Sequence, residues 1–174
     1  MIQKKSEEII HNNPFWVYKH DTFQYPDGRT GEYYYGEDRG MVMIVPMLPD
    51  GRLVLIKQWR YLLQKNSIEF PGGGIRIDES PDHAAKRELL EETGYGSLSL
   101  KHIGAFEQYP GIFKAPAHVY FSFVSEHSQP TLDDTEDISV FIASPQEVKA
   151  MVEGGEIIDS ATLATWALVC SRLH

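Results

Sequence analysis

Residues 73–95 read GGIRIDESPDHAAKRELLEETGY, and no other stretch of the chain narrows its possible folds so far. Nine places fit the spacing G-x5-E-x7-R-E-U-x-E-E-x-G-U, with U a bulky apolar residue: Gly73, Glu79, Arg87, Glu88, Leu89, Glu91, Glu92, Gly94 and, with an aromatic in the last place, Tyr95. With average residue usage, a match of this kind arises by accident on the order of once in ten million chains of this length. The local signals say what the stretch folds into. Ser80 is a good N-cap, Pro81 suits the first helical turn, and Gly94 stands where a left-handed residue would end the run. A helix over 81–93 is predicted.

On that helix, at about 100° per residue, Glu88, Glu91 and Glu92 fall within about 100° of one another, so three carboxylates share one face. Ala84, Ala85, Leu89 and Leu90 supply most of the apolar surface for packing. Like charges at such spacing repel, and partial burial would raise one or more of the carboxyl pKa values. A divalent cation removes the conflict, and hard oxygen ligands suit Mg²⁺ or Mn²⁺, which keep several waters and bridge to phosphates. A solvated acidic face is the bland alternative. Two neighbours weigh against it. Phe70-Pro71-Gly72-Gly73-Gly74 forms a glycine turn before the helix that would let backbone approach a phosphate, and Arg87 can hold Glu91 by an i,i+4 ion pair.

A chain of 174 residues, 42% hydrophobic, has material for one substantial core and a small appendage. Its charge of −9 argues against a nucleic-acid surface and fits an anionic ligand reached through metal ions. The lone Cys170 cannot form an internal disulfide, and its apolar helical surroundings predict a buried thiol in a reducing cytoplasm. The opening MIQKKSEEIIHNN has no apolar signal core, and no run reaches membrane-spanning length, so a soluble protein is expected.

Along the chain, residues 1–13 read as a lead, 14–40 as a small antiparallel β unit, and 41–174 as the main domain. Strands are predicted at 15–23 and 31–35 around Pro26-Asp27-Gly28, then at 41–48 and 53–58 around Pro49-Asp50-Gly51. Residues 67–70 lead into the glycine turn; 97–106, 119–124 and 138–142 are further strands. Ser144, Pro145 and Glu147 open a short helix. Ser160 is expected to cap a last helix with Leu163, Trp166, Ala167, Cys170 and Leu173 as its buried stripe.

The nine-residue pattern resembles the Nudix box, the motif of hydrolases acting on a nucleoside diphosphate linked to another group. The order of elements is similar to the whole Nudix fold, an α/β/α sandwich around a mixed β-sheet. YPDGRTGEYYY, LPDGRLVLIKQWRY, IEFPGGG, TEDISVF and GGEIIDSATLATWAL look like the ADP-ribose pyrophosphatase subfamily, and Pro110, fifteen residues beyond Tyr95, matches its downstream proline. The resemblance covers about residues 14–174.

It implies Mg²⁺-dependent hydrolysis of the pyrophosphate bond of ADP-ribose or a related nucleoside diphosphate sugar, with Mn²⁺ able to substitute. Glu88, Glu91 and Glu92, with a backbone carbonyl near Gly72 or Gly73, would hold the metal, and Arg87 would orient them. Glu136 or Glu92 would serve as the base, with Asp133, Asp134 and Asp137 as weaker candidates. Arg60 resembles an arginine near the diphosphate, though a plain surface role also fits it. Phe15 and Trp16 would stack a nucleobase across the dimer or simply pack, and Pro110 and Glu79 complete the expected substrate contacts. The resemblance also implies a homodimer in which the hairpin crosses to the partner; covering its own sheet edge is the alternative. One departure stands out: Ile112-Phe113-Lys114-Ala115 follows Pro110-Gly111, where subfamily members carry a small polar residue and an acid. GDP-mannose, a dinucleotide cofactor or a nucleoside triphosphate remain alternative substrates, and a non-catalytic nucleotide-binding regulator is the remaining reading.

Overall fold

Two Pro-Asp-Gly turns, at 26–28 and 49–51, each join a pair of antiparallel strands. In both, the aspartate Oδ1 accepts the N–H two residues on, at 3.1 Å, which closes the turn locally. The computed structural model describes residues 1–128, 130 and 137–173. In chain order its elements are β1 (Gln3–Asn12), β2 (Val17–Gln24), β3 (Thr30–Glu37), β4 (Met41–Met47), β5 (Leu53–Arg60), β6 (Lys65–Glu69), β7 (Gly72–Gly74), α1 (Pro81–Thr93), β8 (Tyr95–Glu107), β9 (Phe113–Lys114), β10 (Pro116–His127), β11 (Ile138–Ala143), α2 (Pro145–Glu153) and α3 (Ser160–Val169). They fall into two compact units, Met1–Gly40 with Glu107–Pro116, and Met41–Phe106 with Ala117–His174.

The second unit is built on a mixed sheet ordered β11-β5-β4-β10-β8, with β6 beside β5 and β7 beside β4. β10 runs parallel to β4, and β5 antiparallel to it. Period-2 alternation along apolar β4 buries both of its faces. Met43 and Val45 pack with Leu53, Leu55, Val148 of α2, and Ala161, Trp166 and Val169 of α3. Val42 and Ile44 pack on the opposite face with Val54 and with Ala84, Ala85 and Leu89 of α1. Helices therefore cover both faces, which makes the layered α/β/α arrangement.

The local helix signals operate as expected for α1 and α2. Ser80 Oγ accepts from His83 N at 3.3 Å, Gly94 adopts φ 72°, and Ser144 and Glu147 close a capping box. Three details differ from the sequence reading. Leu90 is 48% exposed, because the stripe of Ala84, Ala85 and Leu89 already fills the contact with the sheet. Asp159, not Ser160, caps α3, its Oδ2 accepting from Thr162 N at 2.7 Å. The face α3 buries is Ala161, Thr162, Thr165, Trp166 and Val169, while Ala167 is exposed and Cys170 only partly buried. Two polar residues on the buried face account for the difference, and Thr162 Oγ1 accepts the buried N–H of Phe70 at 3.2 Å.

The first unit is a four-stranded sheet ordered β1-β2-β3-β9. Its β1 lies within the segment that the sequence shows only as a lead, and is exposed along its length. An ion-pair ladder crosses the sheet: Lys4 with Asp21 at 2.8 Å, Glu7 with Lys19 at 3.0 Å, Lys19 with Glu37 at 2.6 Å, and Glu37 with Lys114 at 2.6 Å. Those partners hold the Glu37 carboxyl below its usual range, Lys114 first and Lys19 second. The divergent stretch at 112–115 thus supplies β9, paired in parallel with Gly36 and Glu37 of β3, and Tyr33 Oη donates to Gly111 O at 2.6 Å. Among the described residues no helix is long and apolar enough to cross a membrane.

Candidate active site

In the second unit, β6, the glycine turn, β7 and α1 are consecutive in sequence, and two anchors bring them together. β7 pairs antiparallel with β4, and Pro71 O accepts from Ile44 N at 2.9 Å, so the turn is tied to the sheet. Tyr120 Oη on β10 donates to Asp82 Oδ1 at 2.6 Å, tying the first turn of α1 to the same sheet. Burial and the Asp82 carboxylate together push the Tyr120 hydroxyl pKa up, so it stays a donor.

The acidic face of α1 lies against the glycines. Glu92 Oε2 accepts from Gly72 N at 2.8 Å. A Cβ on Gly73 would stand 2.5 Å from Glu88 Oε1, so only glycine permits this approach of turn and carboxylate. Glu88 and Glu92 are 9% and 3% exposed, and Glu91 is partly exposed.

Arg87 gathers the remaining acids. Its Nε and Nη2 donate to Glu79 Oε1 and Oε2, both at 2.8 Å, Nη1 to Glu88 Oε1 at 2.7 Å and Glu91 Oε2 at 3.0 Å, and Nη2 also to Gly74 O at 3.1 Å. The Arg87 fork, with help from the Arg76 backbone N–H, pulls the Glu79 carboxyl down to about 2 from 4.5. Arg87 is itself raised, chiefly by Glu79. Arg76 Nη2 reaches Glu91 at 3.4 Å. Four carboxylates, Glu79, Glu88, Glu91 and Glu92, are thus gathered beside the glycine turn with Arg87 and Arg76. Hard oxygen donors held beside backbone are of the kind that suits a divalent cation. Among the described residues no group of three or more His, Cys, Asp or Glu side chains is arranged, as it stands, so that it could hold a metal ion.

The sequence reading left Glu69 out of this neighbourhood. It is nearly buried at the end of β6 and pairs with Arg60, whose Nε donates to Glu69 Oε1 at 2.8 Å and whose Nη2 donates to Oε2. An acid between Ile68 and Phe70, in a strand heading for the glycine turn, was the available signal.

Phe15, Trp16 and Pro110 belong to the first unit. Asn13 Oδ1 accepts from Phe15 N at 2.9 Å and Trp16 N at 3.0 Å, and this turn leaves Phe15 80% and Trp16 39% exposed. Trp16 meets Phe113 edge-on, with ring centroids 6.1 Å apart, beside a cleft of about 260 Å³ lined by Phe15, Trp16, Lys19, Asp38 and Arg39. Pro110 lies in an exposed turn. Glu136, with Asp133 and Asp134, lies outside the described residues; Asp137 is exposed, and its backbone carbonyl accepts from Trp59 N at 3.2 Å.

Comparison with known proteins adds to this geometry. The NUDIX domain model matches residues 38–162. An ADP-ribose pyrophosphatase of Bacillus subtilis (strain 168) is 29% identical over 160 residues, spanning 90% of this chain and 85% of its own length. An ADP-sugar pyrophosphatase of Mus musculus is 31% identical over 125 residues, spanning 66% and 57%. A solved structure described as an ADP compounds hydrolase superposes with a TM-score of 0.84 at 21% identity, covering 99% of this chain and 94% of that one, which is a likeness of fold.

Proposed function

The chain belongs to the Nudix hydrolase family, and from that premise we propose that it hydrolyses the pyrophosphate bond of ADP-ribose or a related nucleoside diphosphate sugar, with Mg²⁺, to a nucleoside monophosphate and a sugar phosphate. The observation that carries this reading is the cluster of Glu88, Glu91 and Glu92 against Gly72 and Gly73, with Arg87 holding two of the three carboxylates. When bound there, a divalent cation would polarise phosphoryl oxygens and lower the pKa of a water molecule.

The chain's own groups divide the remaining work. Glu88, Glu91 and Glu92 would hold the ion, and Arg87 aligns Glu88 and Glu91 while Glu79 aligns Arg87. Glu136 or Glu92 takes the proton of the attacking water. Arg60 binds the diphosphate, and in a homodimer Phe15 and Trp16 would stack the nucleobase of a substrate held by the partner copy. The reaction is mainly one of positioning and charge stabilisation. The stretch at 112–115 lacks the small polar residue and acid of the subfamily, and its Lys114 is engaged by Glu37. GDP-mannose is therefore the second substrate to test. A homodimer belongs to the same reading, supported by the exposed apolar residues Ile9, Ile10 and Tyr34 on the four-stranded sheet.

The test is to incubate the purified protein with Mg²⁺ and a mixture of ADP-ribose, GDP-mannose, NADH, diadenosine polyphosphates and nucleoside triphosphates, following all products by mass spectrometry. AMP and ribose 5-phosphate are expected first. Glu92→Gln should lower kcat by about a thousandfold with little change in folding. No turnover of any compound would overturn the enzymatic reading, and wild-type activity in Glu92→Gln would remove the metal-site assignment.

A further inference from the structure

Arg60 and Glu69 meet as a fork on a carboxylate, and the two members of the pair are unlike. The Glu69 side chain is 4% exposed and that of Arg60 44%. Burying a carboxylate is costly unless its partner is well placed, and an apolar side chain would fill the same space at lower cost. Glu69 takes two of the five N–H bonds that a guanidinium carries, and among the described residues no hydrogen bond engages the other three.

Sheet register says where those three lie. β5 pairs with β6 through Ile56 with Glu69 and Arg60 with Lys65. Alternation puts Val54, Ile56, Gln58 and Arg60 on one face, and Val54 packs against Ala84, Ala85 and Leu89 of α1. Arg60 and Glu69 thus stand on the sheet face that carries α1 and its glutamates. After Glu69, the charges that act on Arg60 are those of Asp159 and Glu92. Three residues beyond Glu69, the N–H of Gly72 holds Glu92, so one short segment fixes both an arginine and a carboxylate of the site.

We propose that Glu69 is a positioning residue: it fixes the plane of the Arg60 guanidinium, so that the free N–H edge meets the diphosphate of the substrate on the face bearing Glu92. The inference rests on the hydrolytic reading above, and adds to it a residue that touches no substrate. A planar fork held on one edge presents the other in a single orientation, which an ammonium group on a flexible stem cannot do.

Arg60→Lys, Glu69→Gln and the double variant test this. ADP-ribose binding is measured calorimetrically in EDTA, where there is no turnover, and KM and kcat are measured with Mg²⁺; melting temperature is followed in parallel. Each single variant should weaken metal-free binding about tenfold, the worth of one charge-assisted hydrogen bond, and raise KM more than it lowers kcat. The double variant should bind no more weakly than the worse single one, because Glu69 acts through Arg60. Additive losses, or a lowered melting temperature with unchanged affinity, overturn the proposal. If Glu69→Gln fails to fold, Arg60→Lys decides alone, since it keeps the charge and loses the fork; unchanged affinity there overturns it as well. A wild-type protein that neither binds nor hydrolyses any nucleoside diphosphate sugar would remove the hydrolytic reading and this one together, whereas normal wild-type turnover with indifferent variants removes only this one.

Discussion

Glu79 shows how far a single ion pair can be followed from charge to stability. Its carboxyl is held at about 2, against 4.5 in the unfolded chain, mainly by the Arg87 fork. A depressed carboxyl pKa means that the folded state prefers the ionised form, so the stabilisation is complete above the unfolded value and fades as pH falls toward the folded one. The stability difference between wild type and Glu79→Gln, from urea unfolding midpoints, should be constant above pH 4.5 and shrink as pH falls toward 2. A difference that persists undiminished at the acid end would show that Glu79 stabilises through packing rather than charge. Part of this network can be read from sequence, since Arg87 and Glu91 are four apart on a helix and meet at 3.0 Å. Arg87 with Glu79 and Arg60 with Glu69 cannot, because the first depends on the path of the loop at 74–80 and the second on the pairing of β5 with β6.

The element that organises the site is α1, and two glycines at its borders serve different ends. Gly94 has φ 72°, and a Cβ there would lie 2.1 Å from the backbone oxygen of Ser128. Neither the dihedral nor that neighbour can give way easily, so Gly94→Ala should destabilise the fold by about 2 kcal/mol or more in urea unfolding. At Gly73 the obstructing atoms are the Glu88 carboxylate, the far end of a side chain. Gly73→Ala should therefore leave the unfolding midpoint near wild type while lowering kcat by about a hundredfold, through displacement of Glu88. The opposite pattern, a collapse of stability at Gly73 with residual activity intact, would contradict the assignment of this contact to the site. Helix α1 was legible from Ser80, Pro81 and Gly94 because caps act within one turn. The buried face of α3 was not, because Thr162 and Thr165 are polar residues whose inward position is set by what they meet, the Phe70 N–H in the case of Thr162.

At the scale of the whole molecule, the two units differ in what holds them. Both buried apolar clusters lie in the second unit, and among the described residues of the first only Ala115 is a buried apolar residue. The four-stranded sheet relies on backbone pairing and an ion ladder, and it exposes Ile9, Ile10, Tyr33 and Tyr34. Exposed apolar residues in this setting favour association with a second copy. Light scattering at micromolar concentration should give twice the chain mass, and Ile9→Asp with Ile10→Asp should shift it to the monomer; a wild-type monomer would refute the dimer. The sequence by itself determined the glutamate spacing on α1, its caps and both Pro-Asp-Gly turns, since each depends on neighbours within a turn, while the layered α/β class came with the family resemblance. Tertiary structure decided the rest: that Glu69 faces Arg60, that Glu92 meets Gly72, and that Lys114 completes a ladder with Glu37, 77 residues away. Those pairings follow from sheet register and loop path, which depend on burial summed over the whole fold and leave no periodic mark in the residues they join.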